Sequence, residues 1–264
     1  MLQWAPYYEV GEVEHDPNHL KLAPGIGDGE VYRVPEYCVS DDDGYTFKEV
    51  KEIPHQGLTN YSESRFPLVE LADNRWVLPF YDRTVCFDPT TRGLSQFGDG
   101  RNHGMVPIIQ TKTGALISGA PQAHSPIPVG KPDATGRMVE GLRSENSGQT
   151  WTPLYQLSHF GVCGYDLTLL ENGWVVHTAV IYGAGVDGEY SYELWLSQDD
   201  GRTFDRRNAA EVYSPGRRIV GRGWPRTVQL DAETLGTLFY DLDPDQEGGP
   251  GVFFVRTQIA SLVG

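Results

Sequence analysis

Four arginines, Arg217, Arg218, Arg222 and Arg226, fall within ten residues of a chain whose formal net charge is −15. A planar guanidinium offers paired donors that grip a carboxylate in two places. Such a run is the local basicity that an anionic ligand needs in an acidic protein. It would equally balance acidic neighbours on a solvated loop, and the residues alone leave both readings open. Trp224 stands between Arg222 and Arg226, with a flat ring suited to stacking on a sugar face or to plugging a core. Tyr165 and Asp166 sit in Cys163-Gly164-Tyr165-Asp166-Leu167, and His103 in Arg101-Asn102-His103-Gly104. Asp82, beside Arg83, and Asp88 close apolar runs. An aspartate at a strand end commonly builds a turn, whereas a general acid needs a raised pKa. Asp241-Leu242-Asp243-Pro244-Asp245-Gln246-Glu247-Gly248 alternates carboxylates ahead of a glycine, as calcium loops do. The later bidentate Glu of such loops is missing, so a solvated hairpin is the stronger reading, and no cofactor is expected. No zinc, phosphate-loop or serine-triad arrangement stands out.

The elements that must position these groups are marked by a repeated box, Ser-x-Asp/Asn-x-Gly-x-Thr-Phe/Trp. It occurs as Ser40 to Phe47, Ser144 to Trp151 and Ser197 to Phe204. The second and third copies, at 144 and 197, start 53 residues apart, and the first and second 104 apart, close to two periods of 52. A fixed period of this size marks stacked repeats that bury their apolar faces on one another. The absent copy falls near residue 92, where Thr91-Arg92-Gly93-Leu94-Ser95-Gln96-Phe97 keeps the glycine, a hydroxyl and the aromatic. Asp or Asn followed by Gly is turn chemistry, so the box reads as a hairpin fastener whose closing aromatic fills the gap between units. Between boxes, apolar runs flank tight turns at Ala72-Asp73-Asn74, Lys112-Thr113-Gly114, Glu171-Asn172-Gly173 and Asp231-Ala232-Glu233. A third strand leads into each box and a fourth leaves it. Four antiparallel strands per unit, repeated radially, make a β-propeller, here expected as one domain over 1–264. The period predicts five blades, with six as the alternative. The final unit ends with its third strand, Val252 to Ile259, and an N-terminal strand could complete it.

Length allows a large all-β domain, and the 31 Gly and 18 Pro suit many turns. The negative charge argues against nucleic acid as a partner. Cys38, Cys86 and Cys163 are an odd number beside apolar runs, which reads as buried free thiols. No run approaches membrane-spanning length, and the opening Met1-Leu2-Gln3-Trp4-Ala5-Pro6 has no signal-like pattern. A soluble protein is expected, either cytoplasmic or secreted with its signal removed.

The boxes resemble the Asp-box, or bacterial neuraminidase repeat, of the sialidase superfamily. Ser64-Arg65-Phe66-Pro67-Leu68-Val69-Glu70-Leu71 resembles that family's Arg-Ile-Pro signature, and Gly223-Trp224-Pro225-Arg226-Thr227-Val228-Gln229-Leu230 its Gly-Tyr-Pro/Ser strand start. In such a propeller the first strand of each blade begins at the central cavity. Arg65, His103 with Met105, Tyr165 with Asp166, and Trp224 with Arg226 would then converge, as in a sugar site. The resemblance implies a retaining glycoside hydrolase acting on an anionic glycan, with three arginines on the substrate carboxylate, a Tyr nucleophile and an Asp acid. By resemblance Arg65 takes the first arginine's place and Asp88 the acid's. Trp224 stands where the family often has Tyr, which leaves Tyr165 as the substitute nucleophile. Arg83, His103, Asp166, Arg222, Trp224 and Arg226 would contact the substrate. A His/Tyr polysaccharide lyase, through His103 or His19, and a non-catalytic glycan- or protein-binding propeller are the alternatives.

Overall fold

The computed structural model describes residues 36–53, 68–79, 84–97, 107–122, 138–154, 166–182, 190–204, 209–215, 225–245 and 249–263. The chain groups into two compact units, 1–105 and 106–264. Among the described residues there is no α-helix, and no helix long and apolar enough to cross a membrane.

In the first unit, β1 (Glu36–Tyr37) pairs with β2 (Lys51–Glu52) around the first box. A four-stranded antiparallel sheet follows, formed in chain order by β3 (Val69–Glu70), β4 (Trp76–Pro79), β5 (Thr84–Asp88) and β6 (Gly93–Gln96). Its two central strands, β4 and β5, are near-continuous apolar runs buried on both faces. Tyr37, Ile53, Leu78, Val85 and Phe87 join in a single core cluster. There the Tyr37 ring meets Trp76 edge-on at 5.1 Å and Trp76 tilts against Phe87 at 5.6 Å. Phe97 is buried, as expected of the aromatic that closes the worn repeat.

The second unit repeats the plan. One sheet holds β7 (Ile108–Gln110), β8 (Leu116–Gln122), β9 (Met138–Ser144) and β10 (Thr152–Pro153). The next holds β11 (Asp166–Leu169), β12 (Val175–Tyr182), β13 (Tyr190–Ser197) and β14 (Ala210–Tyr213). The last holds β15 (Arg226–Gln229), β16 (Thr234–Asp241) and β17 (Gly251–Gln258), followed by a 3₁₀ turn at Ile259–Leu262. All pairings are antiparallel between consecutive strands, the up-and-down order of propeller blades. Within this unit the first strands stand side by side, β11 lying against both β7 and β15. Ile117, Leu167 and Val175 fill one gap between sheets, and Leu170, Val176, Leu194, Leu235, Ile259 and Leu262 fill the other.

The blade count departs from the period's arithmetic. The described residues form four blade-sized sheets, three with four strands and one with three, plus the β1–β2 pair. Neither a fifth complete blade nor a sixth is among them. The period counted a unit at each end, but its first repeat holds only this pair among the described residues, and its last box position falls at the start of β17.

All three boxes share one hydrogen-bonding pattern. The Ser hydroxyl accepts from the Gly N–H at 2.7, 2.9 and 2.9 Å and donates to the Asp or Asn side chain at 2.8, 2.9 and 2.7 Å. That side chain in turn accepts from the Thr N–H at 2.8, 2.9 and 2.9 Å. Each glycine is left-handed, and so is the residue before it: Asp43, Ser147 and Asp200 have φ of 56°, 54° and 63°. The closing aromatic plugs as expected at Trp151, which is buried, and Phe204, which packs beside Ile117 and Trp195. Phe47 of the first copy remains 38% exposed.

Candidate functional site

Asp166 and Arg226, two residues singled out in the sequence, are the first residues of β11 and β15. Because these strands are neighbours, residues 60 positions apart in the chain meet at one end of the second unit. Arg226 Nη1 lies 3.8 Å from Asp166 Oδ1 and donates to the carbonyl of Pro225 at 3.1 Å. The backbone N–H of Thr227 donates to Asp166 Oδ2 at 2.9 Å. Asp166 is only 5% exposed, whereas the Arg226 side chain is 30% exposed. The acid is thus interior and the guanidinium is its route to the surface.

Burial decides the electrostatics here. It pushes the Asp166 carboxyl up to about 6, against the pull of the Arg226 charge and of the Thr227 and Leu167 N–H groups. The Arg226 guanidinium is lowered by the same burial, with Asp166 opposing. A distance of 3.8 Å is an ion pair without a direct hydrogen bond.

Hydroxyls brace the pair from behind. Thr178 Oγ1 and Thr227 Oγ1 are 2.6 Å apart, and Thr227 Oγ1 and Thr237 Oγ1 3.0 Å. Thr168 donates its hydroxyl to the Thr227 carbonyl at 2.8 Å. His177, fully buried, brings Nδ1 to 3.3 Å from the Asp166 carbonyl, and its ring stands edge-on to Trp195. None of these was singled out from the sequence. The available signal was threonine at mid-strand positions, where strand propensity alone explains it.

Asp88 is placed differently from the expectation. It ends β5, and the β4–β5 register pairs Trp76 with Phe87 beside it. It therefore lies at the end of the sheet that carries the Leu71–Arg75 turn, opposite the start of β3. Its carboxylate accepts from the Thr90 and Thr91 N–H groups at 2.8 and 3.3 Å and from the Thr91 hydroxyl at 2.8 Å. Those bonds hold it below the usual carboxylate range, led by the Thr91 hydroxyl. An acid at a strand-start site must be at the other end and raised, so Asp88 is corrected to a turn former. It occupies the place in its sheet that Ser144 and Ser197 occupy in theirs, so the worn repeat begins at Asp88, three residues earlier than read. Arg65, Arg83, His103, Tyr165, Arg222 and Trp224 lie outside the described residues, as does Cys163. Cys38 and Cys86 are free and buried.

In the acidic run after β16, Asp241 Oδ1 accepts from the Asp243 N–H at 3.1 Å, and Asp243 Oδ1 from the Asp245 N–H at 2.9 Å. These are turn bonds. Among the described residues no group of three or more His, Cys, Asp or Glu is arranged to hold a metal ion.

No family model matches the chain. No curated protein matches it either. Solved structures do. A protein of unknown function from Dyadobacter fermentans is 14% identical, with a TM-score of 0.58, over 91% of this chain and 68% of its own. A leech intramolecular trans-sialidase, complexed with 2,7-anhydro-Neu5Ac, is 12% identical with a TM-score of 0.57, over 87% of this chain and 37% of its own. An ulvan lyase bound to -[GlcA(1-4)Rha3S]- is 13% identical with a TM-score of 0.50, over 71% of this chain and 50% of its own. The chain thus spans half the length of that lyase and little more than a third of that trans-sialidase. At these identities the likeness speaks for the fold, an all-β propeller of four-stranded antiparallel blades.

Proposed function

We propose that this chain is a sialidase-like, carbohydrate-active propeller that takes an anionic glycan at the starts of its inner strands. One observation carries the reading: a part-exposed guanidinium, Arg226, is held at a strand start by a buried carboxylate, Asp166, in an otherwise acidic protein. That arrangement suits a contact to an acidic sugar group. The Asp166 side chain holds the arginine and does not reach out to substrate itself. Two of the solved structures with this fold carry names of glycan-acting enzymes, which supports the substrate class. Retaining hydrolysis remains the favoured chemistry, with Arg65 and Arg222 as further carboxylate contacts and Tyr165 as nucleophile. Arg83, His103 and Trp224 are proposed as further substrate contacts. The acid/base role passes from Asp88 to Asp82, which precedes β5 in the chain rather than ending it.

The test is hydrolysis of fluorogenic sialosides and uronosides, with absorbance of unsaturated uronate followed in parallel, for wild type and Arg226→Ala. The expected result is turnover of an acidic substrate, weakened roughly 30- to 100-fold in the variant, as loss of a charged contact implies. Binding of acidic glycans without turnover would make the chain a glycan-binding propeller, and unsaturated products would make it a lyase. Absence of any glycan binding would overturn the reading.

A further inference from the structure

We infer that Arg226 exchanges partners on binding: its guanidinium turns from Asp166 to the acidic group of the ligand, and Asp166 takes up a proton as it does so. This rests on the reading above that an anionic glycan binds at Arg226. The geometry is that of a holding contact. The two side chains are 3.8 Å apart, the remaining Asp166 oxygen is already tied to the Thr227 N–H, and the arginine alone is substantially exposed. Swinging the guanidinium to an outer anion therefore breaks no direct side-chain hydrogen bond to Asp166.

What it changes is charge. With the guanidinium engaged elsewhere, an ionised Asp166 would be a buried carboxylate facing a second anion across one cation. Like charges in a desolvated site cannot both remain ionised cheaply, and the interior one protonates. Among the groups facing Asp166 from each packed element only His177 could itself take up a proton, and uptake there would persist in Asp166→Asn. β15 supplies Arg226 and the Thr227 N–H, and β12 supplies Thr178 beside it and His177 at its carbonyl. β7 supplies Ile108, Ile109 and Gln110, none of which titrates. The free carboxyl already stands near 6, so a modest further rise brings it to neutrality. Ligand affinity then increases as pH falls, up to tenfold per pH unit above the free value, because the bound form holds one more proton.

Calorimetry of binding in phosphate, Hepes and Tris at pH 7.5 separates this from simple capture, since the enthalpy varies with buffer ionisation in proportion to protons exchanged. The probes are 3′-sialyllactose beside lactose, and glucuronate beside glucose. Uptake of about 0.2 proton per acidic probe in wild type, the value at pH 7.5 for a midpoint moved from about 6 to about 7, or more for a larger rise, and none in Asp166→Asn, is the expected result. If that variant does not fold, the Asp166 carboxyl carbon in labelled wild type replaces it, with a midpoint at least one pH unit higher under saturating acidic probe. Acidic probes that bind without proton uptake, or with uptake that persists in Asp166→Asn, overturn the exchange and leave the glycan reading standing. Failure of every probe to bind overturns both.

Discussion

Arg143, next to last in β9, donates from Nη2 to the Asp200 carboxylate at 2.8 Å, joining one sheet to the box of the next. A second donor of the same guanidinium reaches the Asp200 carbonyl, and the Thr113 hydroxyl donates to the same carboxylate. Arg143 also bonds Glu145 at 2.8 Å, but Glu145 is 62% exposed against 14% for Asp200. Burial, not distance, should decide which partner matters. Arg143→Met removes a buried pair from one side and is expected to cost about 3 kcal/mol. Glu145→Gln is expected to cost less than about 0.5 kcal/mol. Urea midpoints of both variants, with Asp200→Asn completing a double-mutant cycle, check the ordering. Equal losses at Glu145 and Asp200 would contradict it.

The box glycines should not be equivalent. Gly44 and Gly201 both need left-handed backbone, at φ of 90° and 75°. A methyl on Gly44 meets nothing within 4 Å, while one on Gly201 would lie 1.8 Å from Ile117 Cδ1. Gly44→Ala is expected to lose about 1 kcal/mol, the left-handed penalty alone. Gly201→Ala adds overlap with a fully buried side chain and is expected to lose about 3 kcal/mol. Adding Ile117→Val to Gly201→Ala should recover part of that loss, although Ile117→Val destabilises by itself. Thermal melts of the four variants decide it, and simple additivity would refute the contact.

Much of this architecture was legible in the sequence because local chemistry repeats. The four turns at 72–74, 112–114, 171–173 and 231–233 each close a hairpin joining the first two strands of a sheet. Asn74, Gly114 and Gly173 are left-handed, as a turn of this type requires. The Asp or Asn and the Gly of each box predicted a tight turn, but not the bonds made by the Ser hydroxyl. The site was half legible: Asp166 and Arg226 were singled out because strand starts converge. Asp88 was misplaced because spacing along a chain does not say which end of an antiparallel strand a residue occupies, and only the register does. The Thr178–Thr227–Thr237 hydroxyls were illegible because threonine is an ordinary strand residue until its neighbours across the gap are known.

Asp88 offers a direct contrast with the strand-start end. Its carboxylate closes the turn into β6 through the Thr90 and Thr91 N–H groups. Asp88→Asn is expected to leave binding or turnover of acidic glycans within about twofold of wild type, since a group held at the far end of its sheet touches no ligand there. Its effect should appear in acid instead. A carboxylate held below its ordinary range stabilises the fold at neutral pH, and that contribution is lost as pH falls through the lowered value. Melts between pH 2 and 5 should show the wild-type advantage shrinking. A hundredfold loss of glycan activity in Asp88→Asn would restore it as a catalytic acid.

Asp166 should titrate against stability in the opposite sense. Its carboxyl stands at about 6 in the folded chain, against an ordinary 3.8. Between those values the folded state holds a proton that the unfolded chain has released, so stability falls as pH rises. The contribution is complete below about pH 4 and gone above about pH 6, with an upper bound near 3 kcal/mol at about 1.4 kcal/mol per pH unit. Asp166→Asn cannot ionise and should not show this slope. Asp42, Asp73 and Asp199, whose carboxyls are lowered by hydrogen bonds, add the reverse slope in both proteins at lower pH. The informative quantity is therefore the difference between wild type and Asp166→Asn, read from urea midpoints at half-unit steps from pH 4 to 7. That difference should grow in favour of the variant as pH rises, and should grow further in an Arg226→Ala background, where the carboxylate has lost its counter-charge. A flat difference across the range would mean that Asp166 is ionised throughout, in which case burial does not govern the pair.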